Sequence, residues 1–345
     1  MKKVLIFGAG GFIGTYLCQH LLDNGYSVTA CDYHGTGKDF FAKKGVPYFD
    51  VDIAEEKDFD KLPNISFDAV VHLAATQPAN VSQKAYNPKN YITVNVIGTL
   101  NILDYCLKNH CARIIYATSH RNTQGMWEQK DMIAEDDGRA IKYSGQYAMF
   151  SISETAAQDC VLHYQAEYGL RGIILRLPPV YGYGPHMEIF MNGKPIKTGF
   201  QVFIDNAMAC KPLVIWGDAG KGRDIVYVKD VVDAFQKAIE QPSAKGLYNI
   251  SSGHKLTLQE EAEIIAELFW GDDGKPVIEN DREKPNNIDE FVYDIKKAER
   301  ELGWKPKYDF RAMLIDIAKE GQDKRFSFLL DKRHKMFEDD KQETE

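Results

Sequence analysis

A glycine cluster near the amino terminus has the spacing of a phosphate-binding loop. Gly8-Ala9-Gly10-Gly11-Phe12-Ile13-Gly14 follows an apolar run and precedes a helical pattern. Glycines let a backbone turn tightly and approach a pyrophosphate, whose charge then lies at the positive amino terminus of the helix. Since such a cluster is also typical of an ordinary turn, its position between a strand and a helix is what favours a dinucleotide site.

Acidic residues follow the next apolar runs. Asp32 ends the predicted second strand, where a carboxylate can bind both hydroxyls of an adenosine ribose. This carboxylate would repel a 2′-phosphate, and no arginine follows it directly, so the pattern favours NAD over NADP. Asp52 and Ile53 follow a further short run and are predicted to meet the adenine edge. The alternative for Asp32 is a solvated loop acid.

Alternating strand and helix patterns must position these groups. Runs rich in valine, isoleucine and leucine predict buried parallel strands at residues 3–7, 27–31, 69–73, 113–117 and 172–175. Helical periodicity between them predicts helices at residues 13–22, 90–108 and 147–168. The alternation predicts an α/β fold built on a Rossmann-type, doubly wound parallel sheet.

The pattern changes after Arg176, where prolines and glycines predict a loop-rich stretch. Residues 224–228 and 230–240 then predict one more strand and helix of the sheet. Residues 257–260 form a capping box that opens a helix running towards Trp270. We therefore divide the chain into a dinucleotide-binding domain (1–176 and 222–242), a smaller substrate domain (177–221 and 243–330) and a flexible charged tail (331–345).

Composition excludes several classes of protein. The 345 residues are 44% hydrophobic and 27% charged, which is enough for a core without a metal or disulfide staple. A net charge of −8 argues against nucleic acid or an anionic membrane as partner. The six cysteines form no CxxC pair, which predicts free thiols in a reducing compartment. The first apolar run is too short for a signal peptide, and no stretch approaches about 18 apolar residues, so we expect a soluble cytoplasmic protein.

Five further segments follow the glycine loop in a fixed order. They are Val71-His72-Leu73-Ala74-Ala75 and the stretches at 95–101, 175–182, 222–230 and 302–306. With the GxxGxxG loop they resemble the extended short-chain dehydrogenase/reductase family, whose members mostly modify nucleotide sugars. Several ordered matches across some 300 residues are more specific than any one of them.

The resemblance implies an NAD site beside a nucleotide-sugar site. It implies that Arg223, whose planar fork suits phosphate, reaches the diphosphate; the alternative is a surface ion pair. Arg121, Pro179 and Lys284 are the other expected substrate contacts, Pro179 standing where relatives often carry an Asn. The residues expected to line the NAD site are Gly8, Gly11, Phe12, Ile13, Gly14, Asp32, Asp52, Ile53, Leu73, Ala74, Ala75, Asn95 and Glu154.

The usual catalytic pair of the family is missing from this sequence. The family reacts through a Tyr-x-x-x-Lys pair on one helix, the Tyr exchanging a hydroxyl proton with the sugar during hydride transfer. Counted back from Tyr168, Phe150 stands at the Tyr position and Glu154 at the Lys position. Tyr147 shares their helix face one turn away, but no Lys follows it at the required spacing.

The family's catalytic Ser or Thr is also replaced. Alignment on Gly125 puts His120 at that position, with Ser119 one residue earlier. Arg121 and Asn122 fall where the 4,6-dehydratase branch carries an Asp-Glu pair, which disfavours that reaction.

Two explanations compete for these changes. In the first, catalysis is redistributed to His120, which titrates near neutrality, with Ser119, Tyr147 and Glu154 as further candidates. In the second, the protein binds NAD and a nucleotide sugar without turnover. We favour an epimerase-like enzyme that transiently oxidises a sugar hydroxyl, because the cofactor loop and the Arg223 segment are intact. A dehydratase is the alternative reaction, and a simple alcohol dehydrogenase releasing NADH is a third hypothesis.

The family resemblance also implies a homodimer. The helices predicted at 90–108 and 147–168 would pack as a four-helix bundle between two copies. The second helix is apolar on more than one face, as an additional buried side requires.

Overall fold

The computed structural model describes residues 1–81, 86–191, 194–271, 274–286 and 288–331. Apart from Asp331, the predicted charged tail lies outside these residues. Within the described ranges, no helix combines the length and the apolar character needed to cross a membrane.

Short strands follow one another along the whole described chain. In chain order they are β1 (Lys3–Phe7), β2 (Ser27–Asp32), β3 (Tyr48–Asp50), β4 (Ala69–His72), β5 (Arg113–Ser119), β6 (Arg171–Leu177), β7 (Val180–Tyr181), β8 (Glu188–Met191), β9 (Lys194–Lys197), β10 (Leu213–Trp216), β11 (Gly222–Arg223), β12 (Val226–Tyr227), β13 (Gly246–Asn249), β14 (Leu256–Thr257) and β15 (Ile278–Asp281). The five predicted strands form, each ending within two residues of its predicted bounds.

Seven of these strands form the central parallel sheet, in the order β3-β2-β1-β4-β5-β6-β13. The strand order reverses between β1 and β4, and in a doubly wound sheet ligands bind in the crevice outside the carboxyl ends at such a point. The glycine loop follows β1, and the Leu73–Ala75 stretch follows β4. The predicted fold class is confirmed.

The α-helices cover both faces of this sheet. They are α1 (Phe12–Asp23), α2 (Lys38–Lys43), α3 (Pro88–Asn90), α4 (Gly98–Lys108), α5 (Ala148–Tyr168), α6 (Gly199–Met208), α7 (Val228–Glu240), α8 (Leu258–Phe269), α9 (Lys296–Leu302) and α10 (Phe310–Asp323). Alternate residues of β1 face opposite layers, as the period of a strand requires. Val4 and Ile6 pack in the core under α1 and α7, while Leu5 and Phe7 pack in the core under α4 and α5.

The helix predicted at 90–108 has an irregular first half. A π-helix (Tyr91–Ile97) lies between α3 and α4, and its Asn95 is buried. π-helical turns occur frequently at functional sites, because the extra residue turns a side chain inward. The capping box of α8 forms as predicted: the Glu260 N–H donates to Thr257 Oγ1 at 3.2 Å, and the Thr257 N–H donates to Glu260 Oε2 at 2.9 Å.

One strand assignment is wrong. Residues 224–228 do not add a strand to the central sheet; instead β12 pairs with β7 in a separate two-stranded sheet. The buried carboxylate of Asp224 accepts hydrogen bonds from the N–H groups of Ser252, Gly253 and Tyr293, which holds this segment away from the sheet. The seventh strand is β13, although the sequence division assigns its residues to the substrate domain. The division into two domains otherwise stays a prediction.

Candidate active site

The glycine loop packs too tightly to admit side chains. Gly8 has a φ of +82°, and a Cβ there would lie 2.7 Å from the backbone nitrogen of Ala74. A Cβ at Gly14 would lie 2.1 Å from the carbonyl oxygen of Gly8. Because both neighbours are backbone atoms, a larger residue would force the turn apart. This tight turn places the amino terminus of α1 directly after β1.

The start of α1 fits a pyrophosphate. Gly11 precedes the helix in an extended conformation, no side chain caps the helix, and the first turn carries no acidic residue in this fully described stretch. The first N–H groups of a helix have no intrahelical acceptor, and the helix dipole favours a negative charge there. The residues present therefore suit the phosphates of a dinucleotide. Ile13 turns its half-buried side chain to the core.

Phe12 connects the cofactor loop to the loop-rich region. Its side chain is 7% exposed. A Cβ at either Gly182 or Gly184 would lie 2.7 Å from its ring. The ring is thus packed directly on this glycine-containing segment, which follows β7.

Asp32 lies at the carboxyl end of β2, as predicted, beside the glycine loop. The Gly10 N–H donates to its Oδ2 at 2.8 Å, and the Tyr33 N–H donates to its Oδ1 at 2.9 Å. These two bonds fix the carboxylate at the end of the strand. A carboxylate held there suits the hydroxyls of an adenosine ribose and would repel a 2′-phosphate.

Other predicted cofactor residues line the same edge of the sheet. The Ala54 N–H donates to Asp52 Oδ1 at 2.9 Å, and Ile53 is 5% exposed and packs closely on Gly98. The Leu73 N–H donates to the Phe7 carbonyl at 2.9 Å, which continues the sheet pairing one residue beyond β4. The half-buried residues Ala74 and Ala75 follow.

Asn95 is hydrogen-bonded within the protein. Its Oδ1 accepts from the Thr76 N–H at 2.8 Å, and its Nδ2 donates to the Thr76 carbonyl at 3.2 Å and to Ser153 Oγ at 2.9 Å. The side chain thus fastens the segment after β4 to α5. Direct contact between Asn95 and the cofactor stays a prediction.

Glu154, at the position of the family's Lys, is buried and neutral. It is 4% exposed, and its Oε2 accepts a hydrogen bond from the Tyr116 hydroxyl at 3.0 Å. Burial raises the pKa of Glu154 to about 8, because the charged form loses its solvation. A protonated acid therefore stands where the family carries a cation.

Sequence reasoning missed the polar groups around Glu154. Tyr116 on β5 pairs with His72 on β4, and their rings lie 5.2 Å apart. The Thr99 hydroxyl donates to the Asn95 carbonyl at 2.6 Å, so His72 Nε2 is the donor to Thr99 Oγ1 at 2.8 Å. Burial lowers the pKa of His72 to about 3, which keeps the ring neutral. The strand register brings Tyr116 and His72 together, and helices α4 and α5 add Thr99 and Glu154.

His120 lies at the end of β5 in an aromatic stack. Its ring is stacked on Trp127 and Phe291, with centroids 5.4 Å away in both cases. Its Nδ1 lies 3.1 Å from the Leu177 carbonyl oxygen. Because a carbonyl only accepts, Nδ1 carries the proton and Nε2 of the neutral ring carries the lone pair. Burial, the charge of Arg121 and that of Arg223 hold the pKa of His120 well below its usual range.

Ser119 and Tyr147 flank this stack. Ser119 ends β5, and its Oγ accepts from the Arg121 N–H at 3.1 Å. Tyr147 precedes α5, and its ring centroid lies 4.0 Å from Arg121 Cζ. The structure therefore brings Ser119, His120 and Tyr147 together, whereas Glu154 has no hydrogen bond to any of them in the described ranges.

Arg121 contacts two aromatic rings. Its Cζ is 5.0 Å from the Trp127 centroid and 4.0 Å from the Tyr147 centroid. Its nearest carboxylate oxygen is Asp289 Oδ2, at 3.7 Å from a terminal nitrogen. Its side chain is 17% exposed, and burial lowers its pKa.

Arg223 faces the same space from β11. Its terminal nitrogen donates to the Tyr181 hydroxyl at 3.4 Å, and the Tyr181 ring is stacked on Phe200. Glu261 on α8 is its principal acidic neighbour, and burial raises the pKa of that carboxyl to about 7. Arg121 and Arg223 are close enough that the charge of each affects the pKa of His120.

Two further predicted substrate residues, Lys284 and Pro179, have contacts of their own. Lys284 forms an ion pair with Asp281 at 3.2 Å and lies 4.9 Å from the Trp216 ring, with a side chain that is 54% exposed. The ion pair is local, three residues apart in sequence, whereas the contact with Trp216 arises because β15 and β10 pair in the fold. Pro179 contributes its carbonyl, which accepts from the Val226 N–H at 3.2 Å. No contact joins either residue to Arg121 in the described structure.

Comparisons with known proteins agree with this geometry. The model of the NAD dependent epimerase/dehydratase family matches residues 4–251. A putative UDP-glucose 4-epimerase of Methanocaldococcus jannaschii is 29% identical over 309 residues, which are 89% of this chain and 94% of the relative. A UDP-glucuronic acid decarboxylase of Arabidopsis thaliana is 27% identical, over 90% of this chain and 85% of its own.

A solved structure is similar in fold and in sequence. The UDP-glucose 4-epimerase of Thermus thermophilus, in complex with NAD, superposes with a TM-score of 0.70 and is 27% identical. The match covers 92% of this chain and 99% of that one. The chain therefore belongs to the NAD-dependent epimerase/dehydratase family and is an enzyme whose cofactor is NAD.

Proposed function

We propose that the protein epimerises a nucleotide sugar through transient oxidation of a sugar hydroxyl, with a catalytic set that lacks the Tyr-x-x-x-Lys pair. The observation that carries this proposal is the position of His120, at the site of the family's catalytic Ser or Thr, where the charges of Arg121 and Arg223 both act on it. Relatives named for UDP-sugar epimerisation and decarboxylation support the substrate class.

His120 has the protonation state that a base requires. Its Nδ1–H is held by the Leu177 carbonyl, so Nε2 is the atom that would accept the proton of a sugar hydroxyl. A bound NAD⁺ would supply the redox chemistry, namely reversible uptake of the hydride from the carbon that bears this hydroxyl. The proton taken by Nε2 is then given back to the oxygen as the hydroxyl re-forms.

The negative charge of a bound substrate would make His120 more basic. Burial and the two arginines lower the pKa of His120, so the free enzyme holds a neutral but weakly basic ring. A diphosphate bound to Arg223 would offset part of that positive charge and favour the imidazolium form. Proton transfer to His120 is therefore easiest in the loaded complex.

Glu154 cannot replace the family's Lys electrostatically. A neutral acid does not favour the ionised form of a nearby phenol, which agrees with the Phe at position 150. We propose that Glu154 instead accepts hydrogen bonds from the ribose hydroxyls of the cofactor.

The main alternatives are less well supported. A 4,6-dehydratase needs acid groups next to the sugar, and here Asn122 is buried and donates to Thr118 Oγ1 at 2.9 Å. A binding protein without turnover would not require a histidine whose protonated nitrogen is fixed by a carbonyl. The homodimer formed by α4 and α5 and the cytoplasmic location stay predictions.

The test incubates the NAD-loaded protein with UDP-, GDP-, dTDP- and CDP-sugars and follows each sugar by NMR and mass spectrometry. We expect one of them to give an isomer of unchanged mass, without net NADH. His120→Asn should lower kcat at least 100-fold with little change in KM, while His254→Asn, an exposed control, should not. Full turnover by His120→Asn would refute the assigned base, and no conversion of any sugar would refute the proposed epimerase.

A further inference from the structure

The guanidinium of Arg121 lacks hydrogen-bond acceptors within the described residues. Arginine offers five N–H donors. No hydrogen bond from its guanidinium to any residue is present in the described ranges. Its Nε is also buried away from solvent. The Asp289 carboxylate, at 3.7 Å, is an ion-pair partner beyond hydrogen-bond distance. A buried donor without an acceptor is costly, so this guanidinium is prepared for an acceptor that comes from outside the chain.

The charges around Arg121 also favour the binding of an anion. Arg121 and Arg223 repel each other, and both have Asp289 as an acidic neighbour. The side chain of Asp289 is 47% exposed, so solvent screens its charge. Burial raises the pKa of Glu261 to about 7, which weakens its negative charge at neutral pH. Two fixed positive charges thus face little fixed negative charge.

The two arginines occupy different parts of the cleft. Arg223 lies on β11, with Tyr181 and Glu261, in the region that follows the central sheet. Arg121 follows His120 directly, at the carboxyl edge of β5, where the reacting sugar carbon must lie if His120 is the base. An anion at Arg223 and an anion at Arg121 therefore belong to different parts of one substrate.

We infer that Arg121 binds a carboxylate carried by the sugar ring, so that the preferred substrate is a nucleotide-linked uronic acid. The inference rests on the proposed nucleotide-sugar function and deepens it. The planar guanidinium can bind both oxygens of a carboxylate, and its contacts with the Tyr147 and Trp127 rings restrict its orientation. The sugar carboxylate supplies the charge that Asp289 supplies only weakly.

The test is a binding comparison on the NAD-loaded protein by calorimetry, with UDP-glucuronic acid and UDP-glucose. These ligands differ only in a carboxylate against a hydroxymethyl group. We expect UDP-glucuronic acid to bind at least tenfold tighter. Arg121→Met, which keeps an unbranched chain between the rings, should remove this preference by weakening the glucuronate alone, whereas Arg121→Lys should retain part of it. Arg223→Met should weaken both sugars and free UDP.

The outcomes separate this inference from the function on which it rests. Equal binding of the two sugars, or an undiminished preference in Arg121→Met with an unchanged thermal midpoint, would overturn the carboxylate site and leave the epimerase intact. Failure of UDP, of both UDP-sugars and of the GDP-, dTDP- and CDP-sugars to bind would overturn the proposed function, and the carboxylate site with it.

Discussion

Replacing Glu154 by glutamine should change how the stability of the protein depends on pH. Glu154 is buried, accepts a hydrogen bond from Tyr116 and has a pKa of about 8, against an ordinary value of 4.5. Glutamine has nearly the same shape and can still accept from Tyr116, but it does not titrate. The variant therefore removes the proton and little else.

The sign follows from which state holds the proton. Between pH 4.5 and about 8 the folded protein keeps the Glu154 proton, while the unfolded chain releases it. The free energy of unfolding of the wild type therefore falls as pH rises, by about 1.4 kcal/mol per pH unit. Between pH 5 and pH 7 this single group should reduce the stability by roughly 2.5 kcal/mol. Glu154→Gln lacks this contribution.

The measurement is urea unfolding of wild type, Glu154→Gln and the exposed control Glu299→Gln at pH 5, 6 and 7. Any constant effect of the substitution cancels, because the readout is the change with pH. The stability of Glu154→Gln relative to wild type should rise by roughly 2.5 kcal/mol over this range, and that of Glu299→Gln should not. Parallel stability curves for wild type and Glu154→Gln would show that Glu154 is already ionised in the fold, and would refute its neutral role.

Two predictions concern the cofactor site. Gly14→Ala places a Cβ 2.1 Å from the Gly8 carbonyl oxygen, so the affinity for NAD should fall at least tenfold in a fluorescence titration. The control Gly199→Ala adds its Cβ in open space and should bind NAD as the wild type does. Equal affinities of Gly14→Ala and wild type would contradict the close packing of the loop. Asp32→Asn removes the charge that repels a 2′-phosphate, so the ratio of NADP affinity to NAD affinity should rise at least tenfold. An unchanged ratio, or the same rise in the exposed control Asp39→Asn, would show that another residue discriminates between the two cofactors.

The first half of the fold was accessible from sequence because its signals are local. The strands around Val4–Phe7 and Val70–Val71 are continuous apolar runs, and the glycine loop stands in the turn between a strand and a helix. β13 was missed because it is only four residues long, GLYN, and pairs with β6 from a distant part of the chain.

The candidate site was predicted residue by residue, but its chemistry was not. The substitutions at positions 120, 150 and 154 were visible by alignment on neighbouring motifs. The neutral state of Glu154 depends on burial against Tyr116, and that of His120 depends on Phe291 and Arg223, which are far away in sequence. Long-range packing of this kind leaves no periodic signal in the chain.

Phe12 couples the packing of the glycine loop to the packing of the segment that follows β7. Its ring fills the space that side chains at positions 182 and 184 would otherwise occupy, and the same residue begins the helix that faces the phosphates. A side chain larger than hydrogen at either glycine would therefore press on the first residue of α1. The two segments share one packing contact, so a substitution in one must be accommodated by the other.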